Sequence, residues 1–216
     1  MNRTVNGVFQ ELRKLGSENE LTEGFHLLYN PWELLFEAKV AFLSLNPGRA
    51  PLGKEVELVC EPLGNSYKLE RDSTKSPLTA QYLQLLELLE LSPSEVLTAA
   101  YIPFRSNRWV DLTEPQKKSC LIFSRNFWAE YLKDKELVIC CGSMVFDEVS
   151  RLVGCGIDNI CVPSGWGRTQ IKLAKFNSGK SRVVGLPHLS SYKLLSRLEC
   201  RKILKSTLCF DSNKSL

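Results

Sequence analysis

The chain has 216 residues, 44% of them apolar and 24% charged, with a formal net charge of +4. This is the composition of a folded domain with a proper core, and it argues against disorder and against two large domains. No apolar run approaches the roughly 20 residues of a bilayer-spanning helix, and Met1 to Leu15 mixes Arg3, Glu11, Arg13 and Lys14 with apolar residues, unlike a secretion signal.

A soluble, cytoplasmic, monomeric protein with no membrane partner is therefore expected. It should form one domain over 1–216, with N-terminal helices in 1–35, a core over 36–200, and a C-terminal helix end and tail in 201–216. Taken in chain order, Lys39 to Leu45 is a short apolar run that reads as a strand buried on both faces. Pro77 to Leu91 has apolar residues at helical spacing behind an N-terminal proline. Val96 to Ile102 reads as a second strand, and Gln116 to Leu132 as a second amphipathic helix. Glu136 to Cys141 reads as a third strand, ended by Gly142 and followed by a helix over Ser143 to Leu152. Gln170 to Ala174 and Arg182 to Leu186 read as late strands around a turn at Asn177 to Gly179, and Ser190 to Ser206 reads as a closing basic helix.

Strands alternating with helices predict an α/β fold, a three-layer αβα arrangement around a mostly parallel sheet. In open sheets of this kind, ligands bind outside the carboxyl ends of the strands. Four polar, turn-forming segments fall at such ends: Asn46 to Arg49, Pro103 to Arg108, Gly142-Ser143 and Pro187 to Ser191.

Charge is unevenly spread. Residues 163–216 carry a net +9 and residues 1–162 a net −5. A basic C-terminal quarter on an otherwise acidic chain fits a polyanionic partner or a solvated basic helix, and charge does not separate the two. The eight cysteines lack the tight Cys-x-x-Cys spacing of a metal or cluster site, so reduced thiols, no metal and no cofactor are expected.

Asn46 closes a buried strand and Pro47-Gly48 forces a turn, which exposes an amide able to orient a water without carrying charge. The same residues also make an ordinary turn. His188 lies between a strand and the expected helix. Beside a helix N-terminus its neutral form is favoured, and Ser190 or Ser191 would cap that helix and offer a phosphate its N–H groups. Arg105 and Arg108, interleaved with Phe104 and Trp109, suit phosphate and base contacts. Pro163 to Arg168 has similar character, with Trp166 equally readable as core. There is no Gly-x-x-x-x-Gly-Lys-Ser/Thr loop, no Gly-x-Ser-x-Gly elbow and no Gly-x-Gly-x-x-Gly after the first strand, which sets aside P-loop, α/β-hydrolase and dinucleotide chemistry.

Val40 to Gly48 (VAFLSLNPG) resembles the first motif of the uracil-DNA glycosylase superfamily, and Gly185 to Ser191 (GLPHLSS) resembles its second. Ile102 to Ser106 and Leu137 to Ser143 match the character of the middle strands and their exits, and the resemblance covers roughly residues 36–200. It implies that Asn46 positions the attacking water and that His188 hydrogen-bonds the leaving base. It also implies that Gly48 lets the backbone approach the substrate, that Ser190 and neighbouring amides pinch a DNA phosphate, and that Tyr192 is the wedge entering the base stack. Pro47, Arg49, Ala100, Phe104, Arg105, Ser106, Arg108, Gly142, Ser143, Ser191 and Lys193 complete the expected substrate and DNA contacts.

Two departures from the family pattern stand out. The second strand ends Ala99-Ala100, where relatives carry a base-reading Asn, and Leu189 replaces the proline of the second motif. The alanines leave space and no amide, which points to a modified or bulky pyrimidine at least as much as to uracil, for instance in defence against phage DNA. The expectation is a monofunctional DNA glycosylase acting on a flipped-out pyrimidine. The alternatives are a non-catalytic DNA-binding module of the same fold and a nucleoside or phosphosugar hydrolase.

Overall fold

The structure is a computed structural model that describes residues 3–50, 56–73, 76–155, 160–175 and 181–208. The chain opens with α1 (Val5–Glu18), β1 (Phe25–His26), α2 (Leu34–Glu37) and β2 (Val40–Ser44). β3 (Glu57–Leu58), α3 (Ser66–Leu69), α4 (Pro77–Leu89) and β4 (Val96–Ala100) follow, then α5 (Glu114–Tyr131), β5 (Leu137–Cys141) and α6 (Ser143–Leu152). β6 (Ile160–Pro163), β7 (Gln170–Lys175), β8 (Arg182–Leu186) and α7 (Leu198–Leu208) complete it.

Six strands form one sheet in the order β4-β2-β5-β8-β7-β6. The first four pair in parallel, while β7 and β6 join antiparallel. The sheet is therefore mixed, where the alternation of strands and helices predicted a mostly parallel one. The reason is local: β6 and β7, and β7 and β8, are each separated by only six residues, whereas a parallel crossover needs about a dozen or more, so these strands join antiparallel. β1 and β3 make a separate parallel pair.

Alternate residues of the central strands feed two cores, as the two-residue period of a strand requires. Ala41, Leu43, Val138 and Cys140 pack with residues of α1, α5 and α6 on one face. Phe42, Ile139, Cys141 and Val184 pack with residues of α4 and α7 on the other. Helices on both faces are compatible with the expected three-layer arrangement.

Helix starts follow capping chemistry. Ser76 accepts from Thr79 N ahead of Pro77, and Thr113 with Gln116 forms a capping box at α5. Most element boundaries fall within two residues of the expected ones, and the α6 span agrees with its expected limits.

The largest departure follows β8. No helix starts at Ser190: the backbone turns at His188, makes a 3-10 turn at Leu194–Ser196, passes through extended Arg197, and only then enters α7. The expected turn at Asn177 to Gly179 and the tail from 209 lie outside the described residues. Among the described residues, no helix is long and apolar enough to cross a membrane.

Candidate active site at the carboxyl edge of the sheet

The four parallel strands end on one edge, and their register aligns the two candidate catalytic residues. Leu43 pairs with Cys140, and Cys141 pairs with Leu186, so Ser44 and Leu186 stand at one level. Asn46 and His188 each lie two residues beyond that level, on either side of the β5 exit at Gly142. At that level two strand spacings, about 10 Å, separate the backbones of Ser44 and Leu186.

Asn46 is half-buried, and its Nδ2 donates to Ser106 Oγ at 3.0 Å and to Pro47 O at 3.0 Å. The nitrogen is thus engaged by the protein, which leaves Oδ1 as the atom able to accept a hydrogen from water; among the described residues nothing donates to it. Ser106 N in turn donates to Pro47 O, so the exits of β2 and β4 are stitched together.

Arg105, expected as a DNA contact, serves the same stitching. It is only 8% exposed, with Nη1 donating to Gly48 O at 3.0 Å and Nε to Val56 O at 3.2 Å. Burial lowers its pKa from the ordinary value. Ala100 and Phe104 are fully buried, the first beside Tyr29 and Tyr67 in one core cluster, the second edge-on to Phe25 in the other. Both side chains lie in the core, so neither is exposed at the carboxyl edge, where substrate contacts were expected of them.

His188 is half-buried, and its Nδ1 lies 2.7 Å from Ser190 Oγ. Burial lowers its pKa below the ordinary histidine value. The expected cause was a helix dipole, but that helix is not there, and desolvation does the work. The backbone around it is fixed by Ser191 N and Tyr192 N, which both donate to His188 O at 2.9 Å. Leu189 N donates to Cys141 Sγ, and the Leu189 side chain is buried in the α4–α7 core, which gives a physical reason for an apolar residue with a free N–H at this position. Gly142 adopts φ +107°, a region that favours glycine, and a Cβ there would sit 3.6 Å from the imidazole.

A cavity of about 350 Å³ opens beside His188, bordered by Gly142, Ser143, Gln170, Lys172 and Tyr192. Asn46 does not line it, because Asn46 turns toward Ser106 on the β4 side. Tyr192 is half-buried and edge-on to Trp166, with Arg197 stacked 3.6 Å from the Trp166 ring centre. Gly48, Arg49, Arg108, Ser143, Ser190, Ser191 and Lys193 are exposed, while Pro47 is buried. Arg49 and Arg108 spend charge locally, on Glu23 at 3.9 Å and Asp111 at 2.8 Å.

A polar cluster beneath Asn46 escaped sequence reasoning. Tyr29 and Tyr67 are buried with their rings edge-on to each other, Ser44 Oγ donates to Ala99 O at 3.3 Å, and burial raises both phenol pKa values, that of Tyr29 to about 12. His26 packs edge-on to Tyr29 with ring centres 4.6 Å apart, and burial together with nearby Arg105 lowers its pKa to about 4. The residues come from three distant segments of unremarkable composition, so only tertiary contact reveals them. Among the described residues, no group of three or more His, Cys, Asp or Glu side chains could hold a metal.

Compared with protein-family models and with curated proteins, the chain matches none.

Proposed function

We propose that this protein is a monofunctional DNA glycosylase that hydrolyses the N-glycosidic bond of a flipped-out pyrimidine, uracil or a modified base, and leaves an abasic site. The observation that carries the reading is the matched level of Asn46 and His188 on either side of the Gly142 exit, one presenting an amide oxygen and the other an imidazole that burial keeps neutral.

Breaking this bond places positive character on the sugar and negative charge on the departing base. Preorganised donors aimed at that anion lower the barrier more than a strong base would. The reading assigns the Ser190 hydroxyl, 2.7 Å from Nδ1, as donor to that nitrogen, which puts the His188 proton on Nε2 for the leaving base. Asn46 Oδ1 accepts from the attacking water and holds it below the sugar. Extruding the nucleotide costs about a few kcal/mol, offset by stacking, by phosphate contacts at Ser190 and Ser143, and by Tyr192 in the vacated stack. The cavity beside His188 is the open volume that receives a substituent on the base.

The test is a panel of duplex and single-stranded DNA carrying uracil, mismatched thymine or natural hypermodified pyrimidines, with released base identified by mass spectrometry. Release of one pyrimidine with the backbone intact is expected. Release of none from the whole panel would end this reading in favour of a binding module.

A further inference from the structure

A groove of about 840 Å³ runs along α4, away from the carboxyl-edge site. It is at the upper end of the roughly 300–1,000 Å³ range of ligand clefts. Its floor is apolar, with Leu83, Leu86 and Leu91. Its charged lining consists of Lys68, Arg71 and Lys193 against Glu87. Among the described residues, none of these three cations enters an ion pair, and Lys68, Arg71 and Lys193 are all exposed.

Two features tie the groove to the site. Tyr192 lines the cavity beside His188 while Lys193, the next residue, lines the groove, so the two open volumes meet at one ridge of backbone. That ridge is anchored to α4: Leu195 N donates to Gln81 Oε1 at 2.8 Å, and Gln81 Nε2 donates to Ser196 Oγ at 3.0 Å. A second trough shares Gln84, Glu87 and Ser196 with the first and adds Arg201.

We infer that this groove is a track for the sugar–phosphate backbone of the DNA strand that continues from the site past Lys193, with the cations pairing phosphates and the leucine floor meeting sugars and bases. The inference rests on the reading of the chain as a DNA-acting enzyme. A lining of three cations to one carboxylate selects a polyanion, and continuity with the ridge selects the strand that enters the site. Lys68 and Arg71 belong to the part of the chain with net negative charge, so folding, not sequence neighbourhood, joins them to Lys193 and Arg201.

The test compares wild type, K68E/R71E and K39E/K133E. The last makes the same charge change on exposed residues preceding β2 and β5, at the opposite edge of the sheet. Affinity for a labelled single-stranded oligonucleotide is measured across a salt series, with circular dichroism confirming the fold and base release scored in parallel. Each phosphate contact contributes about 0.7 to the log–log salt slope for a single strand, so losing two should flatten the slope by about 1.4. K68E/R71E is expected to bind at least tenfold more weakly with that flattening, while K39E/K133E stays near wild type. Equal effects in the two double variants, or wild type that binds no oligonucleotide, would overturn the track. Displacement by poly-glutamate as effective as by DNA would overturn it in favour of an acidic protein partner. Strong groove-dependent binding without base release would support the track and sink the glycosylase reading alone.

Discussion

At the residue scale, the site is held by groups whose own hydrogen bonds leave one atom each for chemistry. Asn46 is pinned through its nitrogen to Ser106 and Pro47, and His188 through Nδ1 to Ser190. Because burial depresses the His188 pKa, the acid limb of the pH–rate profile should fall below pH about 6.5, the ordinary histidine value. A limb above that value would contradict a desolvated, neutral imidazole. His26 makes a separate prediction for stability. The unfolded chain takes up a proton below about pH 6.5, whereas the folded chain resists it until about pH 4. Stability from this group is present above pH 6.5 and drains away as pH falls to 4, by on the order of 3 kcal/mol. Urea melts of His26→Gln should therefore show a loss between pH 7 and pH 4 smaller than wild type by about that amount. Equal losses would mean that His26 titrates normally in the fold.

At the scale of elements, β8 is tied to α6 by one close approach. A Cβ at Gly185 would meet the Phe146 ring at 2.7 Å, and overpacking of this kind costs about 1–3 kcal/mol. Gly185→Ala should lower the unfolding free energy by that amount, and Phe146→Leu in the same chain should restore part of it. No loss in Gly185→Ala would show that the strand and helix can part freely. Thr113→Ala, which removes half of the α5 capping box, should cost about 1 kcal/mol in the same melts.

These elements also mark what the sequence made legible. Runs such as Val40–Ser44 and Leu137–Cys141 are apolar on both faces, so burial and strand follow together, and Asn46 and His188 were locatable because each stands just past such a run. The segment after His188 was not legible. Its leucines have helical spacing, but the amides of Ser191 and Tyr192 bond back to His188 O, and Arg197 is extended, so the helix starts eight residues later than expected. The surroundings of Ala100 were not legible either: it is fully buried in a cluster that includes Tyr29 and Tyr67, which are distant from it in sequence.

At the scale of the molecule, the mixed sheet keeps four strand exits on one edge, and antiparallel β7 brings Gln170 to that same edge beside His188. The arrangement places Asn46 and His188, more than 140 residues apart in sequence, just beyond the ends of two strands that both pair with β5. Charge is redistributed in the same way, with cations from both halves of the chain meeting along α4. A nucleoside hydrolase has no use for such a surface, so free nucleosides should not be cleaved and affinity for DNA should fall steeply with salt.

The central claim is tested most directly by single-turnover formation of alkali-labile sites in substrate DNA by wild type, Asn46→Ala and His188→Ala. The account predicts that wild type forms them and that each variant, still folded and still binding DNA, is slower by about 100-fold or more. Variants as fast as wild type would place the chemistry elsewhere and contradict the account.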